Sequence, residues 1–168
     1  AKSRLARSSL MLGGGVLGLA LLILAIVGLG PYHLIGPDRK FQPLDKDKLV
    51  FQIPDTPSIT VTPFKNLVPD PSTDYLKTAI VDDINSVLTG SPELFVSAGG
   101  ATQPFAAGDT AVRAVAEATG VRYVLAGNYQ VVGEHIRITS QLNDALNGTV
   151  LWSGKFDDKI DNLFGILD

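Results

Sequence analysis

Cysteine is absent from this chain of 168 residues, histidine occurs twice, and aromatic residues make up 7% of the composition. The absence of cysteine excludes disulfide bonds, thiolate metal sites and an anchor of the lipoprotein kind. An excess of basic charge is also missing, because the formal net charge is −3. A mildly acidic chain is not typical of proteins that bind nucleic acid, and we expect no nucleic-acid partner.

Charged residues are missing from one long stretch, Leu10 to Gly30, which holds 21 residues. As a helix rising about 1.5 Å per residue it would be about 31 Å long, which matches a hydrocarbon core of about 30 Å. We therefore predict one continuous transmembrane helix. A cleaved signal peptide is the rival interpretation, but the apolar run is longer than usual for one and Pro31 follows it directly.

The glycines in "GGGVLG", residues 13–18, have the spacing of a dinucleotide-binding loop. Such a loop needs a strand before it and the start of a helix after it, and neither flank provides them. Gly14 and Gly18 instead form a GxxxG pair, which lets a second helix approach closely in a bilayer and could support a homodimer. The alternative is that glycine is simply common in membrane helices.

Composition divides the chain into four segments. A basic juxtamembrane segment at 1–9 precedes the transmembrane helix at 10–30, and an extended linker at 31–57 leads to an α/β domain at 58–168. A short strand is expected within the linker at 48–53. The excess of basic residues before the helix is slight, and it favours an N-terminus on the cytoplasmic side. The first residue is alanine, which fits a segment of a longer polypeptide or a processed chain.

Hydrophobic periodicity after the linker predicts five strands and two helices in the order β-α-β-α-β-β-β. Strands are expected at 58–64 and 93–98 and in "VRYVLAGNYQVVG", "HIRITSQLND" and "TVLWSGKFD". The helices are "TDYLKTAIVDDINSVLTG", capped by Ser72 or Thr73, and "DTAVRAVAEATG". The fold class is α/β, a mixed five-stranded sheet with both helices on one face. Phe64, Trp152 and Phe156 are expected in the core beneath them.

The residue pattern contains no recognisable catalytic arrangement. The two histidines are far apart in sequence, adjacent aspartates point apart, and no serine lies in a nucleophile elbow. We therefore expect no catalytic residue, no metal site and no cofactor. Open α/β sheets bind ligands where the carboxyl ends of strands meet loops. The candidate ligand or partner rim at that edge consists of Lys65, Asn66, Asp70 and Thr102.

Several segments resemble the TolB amino-terminal-like domain, among them "PSITVTPFKNLVPDPSTDY", "GVRYVLAGNY" and "IRITSQLNDALNGTVLWSGKFD". The resemblance covers 58–168. It implies the domain found behind a single membrane helix in bacterial class III adenylate cyclases and in winged-helix regulators. Thr62, Ala79, Gly99 and Ala126 depart from the family pattern, and the loss of polar groups there makes a preserved family ligand site less expected.

The resemblance implies a non-catalytic sensory or protein-interaction module, the post-membrane segment of an adenylate-cyclase-type receptor. Its partners would be membrane lipid, a partner helix and a protein. It would be a single-pass protein of the bacterial inner membrane, with the α/β domain in the periplasm. The alternative from another class is a structural accessory subunit of a membrane protein complex. An enzyme acting on nucleotides is not supported, because its only motif lies within the predicted membrane helix.

Overall fold

The computed structural model describes residue 23 and residues 41–97 and 109–164, and these form a mixed α/β fold. A short 3-10 helix, η1, spans Lys46–Lys48. The strands are β1 Ser58–Val61, β2 Lys65–Asn66, β3 Phe95–Val96, β4 Tyr123–Val132, β5 His135–Asp144 and β6 Thr149–Lys159. The α-helices are α1 Leu76–Thr89, α2 Asp109–Thr119 and α3 Ile160–Phe164.

The six strands form one sheet in the order β3-β1-β4-β5-β6, with β2 also pairing with β4. β1 runs parallel to β3 and β4, whereas β4, β5 and β6 are antiparallel neighbours. The predicted mixed sheet is confirmed, but five strands were expected. The sixth is β2, which continues along β4 after a break at Pro63, a residue without the N–H that a ladder needs. Two residues are too short to produce a periodic pattern.

The two long helices pack on opposite faces of the sheet, so the prediction of both on one face is wrong. α1 shares a buried cluster with Leu125, whereas α2 shares another with Val124. These neighbours on β4 project to opposite sides. The chain passes from β1 to β3 in one direction along the sheet and from β3 to β4 in the other. Right-handed crossovers made in opposite directions place their helices on opposite faces.

Trp152 is partly buried and packs against the core from strand β6, at the edge of the described sheet; it is not enclosed within the core. A register shift in β6 pairs Leu142 with Trp152 and Asn143 with Val150, so Leu151 is an extra residue. This bulge places Val150 and Trp152 on opposite faces, contrary to simple alternation. The Trp152 and Phe156 rings lie 6.0 Å apart, and Phe156 is also only partly buried.

Residues 41–57, here called the strap, run across one end of the domain. The Phe41 N–H donates to the Gly148 carbonyl and the Leu44 N–H to the Ala145 carbonyl, both at 2.8 Å. The Val50 N–H donates to the Glu117 carbonyl at 2.9 Å. The strand expected at 48–53 is absent, because the strap bonds to a turn and a helix end instead of a neighbouring strand. The domain boundary at residue 58 stays a prediction.

The predicted transmembrane helix at 10–30 lies outside the described residues, apart from Ile23. Ile23 is helical and fully buried, in the same cluster as the core residues of α1. Within the described ranges, no helix combines the length and the apolar character needed to cross a bilayer. The predicted helix contact at Gly14 and Gly18 also lies outside the described residues, and both remain predictions.

Candidate functional site

The predicted rim lies at the carboxyl end of β2, and three of its four residues are described. Lys65 is exposed and pairs with Asn128 of β4 in the sheet. Asn66 holds the turn that follows it: its Oδ1 accepts from the Val68 N–H at 3.1 Å. Thr102 lies outside the described residues. A ligand-binding role for this rim stays a prediction.

Asp70 shapes the entry to α1. Its Oδ1 accepts from the Ser72 N–H at 2.9 Å and from the Ser72 hydroxyl at 2.8 Å. These hydrogen bonds hold the pKa of the Asp70 carboxyl below its ordinary value. The helix itself begins at Leu76, so the expected cap at Ser72 or Thr73 is wrong. Asp70 instead forms an Asx turn in the loop before the helix, in which its carboxylate accepts from the Ser72 N–H.

Tyr129 of β4 fixes the loop between β2 and α1 to the sheet. Its ring is fully buried, and its hydroxyl donates to the Thr73 carbonyl at 3.0 Å. The Leu67 N–H donates to the Tyr129 carbonyl at 2.8 Å. Burial raises the pKa of the Tyr129 phenol. The rim loop is therefore held by the core, and its described polar residues Asn66 and Asp70 bond within the loop itself.

A concave site lies at the opposite end of β4, between the strap and the sheet. It is called the strap groove here, and its volume is about 470 Å³. That volume is within the range of small-molecule sites in proteins. The groove is lined by Lys46, Leu49, Gln52, Ile53, Pro54, Asp55, Thr56, Pro57, Arg122, Tyr123 and Leu146.

An oriented cation forms one wall of the strap groove. Arg122 donates from Nη2 to Asp144 Oδ2 at 2.9 Å and from Nε to the same oxygen at 3.3 Å. The Arg122 N–H also donates to the buried Ser58 hydroxyl at 3.0 Å. The hydrogen bond to Asp144 raises the pKa of Arg122. Its Cζ lies 5.1 Å from the centre of the Tyr123 ring, within the range of a cation–π contact.

Asp144 is fully buried and has its charge spread over several donors. Its Oδ1 accepts from the Leu146 N–H at 3.0 Å and the Asn147 N–H at 3.3 Å. Its Oδ2 accepts from Asn147 Nδ2 at 2.8 Å in addition to Arg122. These hydrogen bonds fix the position of the carboxylate. Asp144 is therefore a fixed anion that holds the Arg122 side chain at the groove.

Sequence reasoning placed Arg122 and Asp144 only within motifs interpreted as architectural. The signal that could have found them is the position of each. Arg122 directly precedes β4, and Asp144 is the last residue of β5, at the same end of an antiparallel pair. Opposite charges in such positions approach each other across the pair. Their meeting with the strap could not be read from the sequence, because the strap was interpreted as linker.

The groove presents hydrogen-bond donors, an aromatic ring and apolar side chains, which suits binding and orientation of a ligand. Within 41–97 and 109–164, together with residue 23, no three histidine or acidic side chains come close enough to hold a metal ion. His135 is exposed on the far end of β5.

Comparison with protein-family models gives no match for this chain. Among curated proteins, the chain is similar to "Putative adenylate cyclase 3" of Rhizobium meliloti (strain 1021), with 34% identity over 117 residues. The match covers 70% of this chain and 20% of that protein. The chain therefore spans about a fifth of the length of the curated relative that it matches.

Among solved structures, the LpoB C-terminal domain from Escherichia coli aligns with a TM-score of 0.50 and 14% identity, over 62% of this chain and 83% of that one. Lipoprotein GNA1162 from Neisseria meningitidis aligns with a TM-score of 0.48 and 22% identity, over 61% and 79% of the two chains. At this identity, the LpoB likeness shows a shared fold. Neither likeness assigns a ligand or partner to this chain.

Proposed function

We propose that this chain is a non-catalytic sensory or protein-interaction segment of an adenylate-cyclase-type membrane protein. The observation that carries the proposal is the 34% identity over 117 residues to a protein described as an adenylate cyclase. The match spans only 20% of that protein, which leaves most of its length for other domains. The resemblance of 58–168 to a domain that accompanies such cyclases supports the same conclusion.

The geometry of the strap groove favours binding over bond-making chemistry. Asp144, its buried carboxylate, accepts from Arg122 and from two residues of the following turn. Both carboxylate oxygens are therefore occupied in holding Arg122 and the following turn in place. The groove is thus suited to bind a ligand, and a bound ligand would contact the strap directly.

The chain itself should not form cyclic AMP. Purified full-length chain in detergent micelles, supplied with ATP and Mg²⁺ or Mn²⁺, is expected to yield no cyclic AMP above a protein-free blank. A chimaera in which this chain replaces the matched 117 residues of the Rhizobium meliloti protein is expected to retain any cyclase activity of its parent. Turnover by the isolated chain would overturn the non-catalytic proposal.

We further propose that 10–30 spans the bacterial inner membrane with the α/β domain on the periplasmic side. The natural chain lacks cysteine, so single-cysteine variants report orientation without background. Ser153→Cys, at an exposed position of β6, should react with a membrane-impermeant maleimide in intact spheroplasts. Ser3→Cys should react only after lysis. The reverse pattern would place the domain in the cytoplasm, and labelling of both in soluble extract would remove the anchor.

A further inference from the structure

We propose that the strap groove binds an organic monocarboxylate with a small apolar group, its carboxylate held by Arg122 and Lys46. The inference rests on the proposed function in one respect, namely that a sensory module needs a ligand, and it names the chemistry of that ligand. It concerns the end of β4 opposite to the predicted rim, so the two sites are distinct.

The first step is the unused capacity of Arg122. Guanidinium has three nitrogens, and Asp144 engages Nε and Nη2. Among the described residues, Nη1 has no hydrogen-bond partner, and the side chain is 31% exposed at the groove. An arginine already fixed by a buried acid loses little conformational entropy when it binds a second carboxylate. Arg122 is therefore preorganised to donate to a ligand.

The second step is the opposite wall, which the strap supplies. Lys46 is exposed on η1 and lines the same groove, where it adds a second cation. Gln52 and Thr56 line it as well, and an amide and a hydroxyl are groups that can donate to oxygen. Convergent donors from two separate parts of the chain are the usual design of a site that fixes one polar group of a ligand.

The third step is the apolar part of the groove. Leu49, Ile53 and Leu146 line it together with Pro54 and Pro57. The partly buried Leu49, Ile53 and Leu146 also pack against the cluster of α2, so their positions are set by the core. Apolar side chains beside an anchored cation favour a ligand with one acidic end and one apolar end. A volume of about 470 Å³ accommodates a ligand of the size of an acylated amino acid.

Charge balance selects a monoanion over a phosphate. Asp55 lines the groove and opposes a bound anion, while the charge of Asp144 offsets that of Arg122. The two cations and two acids leave no excess positive charge for a dianion. A carboxylate needs only directed donors, whereas a phosphate dianion gains most from a net positive field.

The test uses full-length ¹⁵N-labelled chain in detergent micelles, titrated with N-acetyl-leucine and followed by amide chemical shifts. N-acetyl-leucinamide, which has the same apolar group without the charge, is the matched control. We expect saturable shifts at Leu49, Arg122 and Leu146, with the acid binding about tenfold more tightly than the amide. Acetyl-Ala-Ala-Leu distinguishes the sources: binding of both acids indicates a peptide C-terminus, and binding of N-acetyl-leucine alone indicates a free small acid.

Variants identify the groups that hold the carboxylate. Lys46→Gln should weaken binding of N-acetyl-leucine about threefold, whereas Lys48→Gln, on the same turn but outside the groove lining, should not. Arg122→Gln combined with Asp144→Asn removes the ion pair without leaving a buried unpaired charge, and should abolish saturable binding. The dispersion of amide chemical shifts verifies that each variant is folded. If the double variant does not fold, the proposal is tested by the two lysine variants and by the comparison of N-acetyl-leucine with N-acetyl-leucinamide.

The proposal is overturned if neither acid gives saturable shifts, if the amide binds as tightly as the acid, or if the two lysine variants behave alike. These results are independent of the cyclic AMP assays, which contain no added carboxylate ligand. A chain that binds N-acetyl-leucine but forms cyclic AMP would retain the groove inference and lose the non-catalytic proposal. A chain that does neither would lose only the groove inference.

Discussion

At the scale of single residues, three small residues form a row across the antiparallel part of the sheet. Gly127 of β4 pairs with Ser140 of β5, which pairs with Gly154 of β6. The Phe64 ring occupies the space where a side chain at Gly127 would project, and the Trp152 ring does the same at Gly154. Close contact of aromatic rings with the backbone, made possible by glycine, therefore sets the local packing of the sheet.

Gly127→Ala should destabilise the domain by about 1–3 kcal/mol, because an added Cβ collides with Phe64 and lies 2.5 Å from the Thr139 carbonyl oxygen. Gly90→Ala is the matched control, since its Cβ would meet only the Val87 carbonyl at 3.2 Å, and should change stability by about 0.5 kcal/mol or less. Urea denaturation of both variants measures the difference. Equal stability of the two variants would contradict the close packing of the Phe64 ring against Gly127.

The sequence predicted large core residues better than their degree of burial. Phe64 is 2% exposed, as expected, whereas Trp152 and Phe156 are only partly buried. All three have the same apolar character. The difference arises from the edge position of β6, which the strand order of the sheet determines, and from its bulge at Leu151, which the register with β5 determines. A local pattern of alternation contains neither piece of information.

At the scale of elements, the loop between β2 and α1 depends on one buried hydroxyl. Tyr129 donates to the Thr73 carbonyl, and burial raises the phenol pKa above its ordinary value of 10.0. A group with a raised folded-state pKa contributes stability that is complete below its unfolded pKa and lost as the pH rises through the folded value. The loop should therefore become less stable above about pH 10.

Tyr129→Phe should lower stability by about 1 kcal/mol at neutral pH, through loss of the hydrogen bond to Thr73. Above about pH 10 the same variant should lose less stability than the wild type, because phenylalanine has no hydroxyl to ionise at this buried position. Urea denaturation between pH 7 and 11 provides the test. An unchanged alkaline slope in Tyr129→Phe would refute it.

The strap depends on Glu117 of α2. Its Oε1 accepts from the Asp45 N–H at 2.8 Å and from Arg113 Nε at 2.8 Å, and its backbone carbonyl accepts from Val50. The Glu117 side chain is only 13% exposed, so these bonds compete little with water. One side chain thus joins the strap to a helix that packs on the sheet.

Glu117→Ala should accelerate hydrogen exchange at the Asp45 amide about tenfold, because that N–H loses its acceptor. Glu117→Gln retains an oxygen acceptor and should lie close to the wild type. The Leu44 amide, bonded to the Ala145 carbonyl, reports within each sample whether the strap has detached as a whole. If Asp45 exchanges at the same rate in all three proteins, Glu117 does not hold the strap.

Element prediction succeeded where local signals are strong. The periodic patterns of α1, α2 and the three long strands lie close to their observed bounds. The opposite placement of the helices follows from strand order, which a single sequence does not display. For the site, the rim residues Asn66 and Asp70 were found near one another, but the strap groove was missed. Its walls come from segments about seventy residues apart, one of which has the composition of a linker.

At the scale of the whole molecule, the sheet has buried clusters on both faces, and the strap completes one of them. Leu44 is 7% exposed and belongs to the cluster formed by α2, Val121 and Val124. Phe41, Leu49 and Ile53 pack against the same cluster. A domain cut at residue 58 would therefore expose apolar surface on the face of α2.

Residues 58–168 should fold alone, as the sequence predicts, but with lower stability than residues 41–168. Loss of buried Leu44 and of the backbone hydrogen bonds from the strap should cost about 3 kcal/mol. Thermal and urea unfolding of the two fragments measures this. Equal melting temperatures would show that the strap adds nothing, and a non-cooperative transition in the longer fragment would show that the domain needs the preceding residues.

Strand β6 forms the outer edge of the described sheet over eleven residues, Thr149–Lys159. Unpaired strand edges of this length are templates for association between chains, and proteins protect them with charge and irregularity. β6 has exposed Lys155, Asp157 and Lys159 in succession on one face, and the bulge at Leu151 interrupts its ladder. A second chain pairing with β6 would have to desolvate these charges and match the bulge. The charges and the bulge together therefore oppose aggregation through this edge.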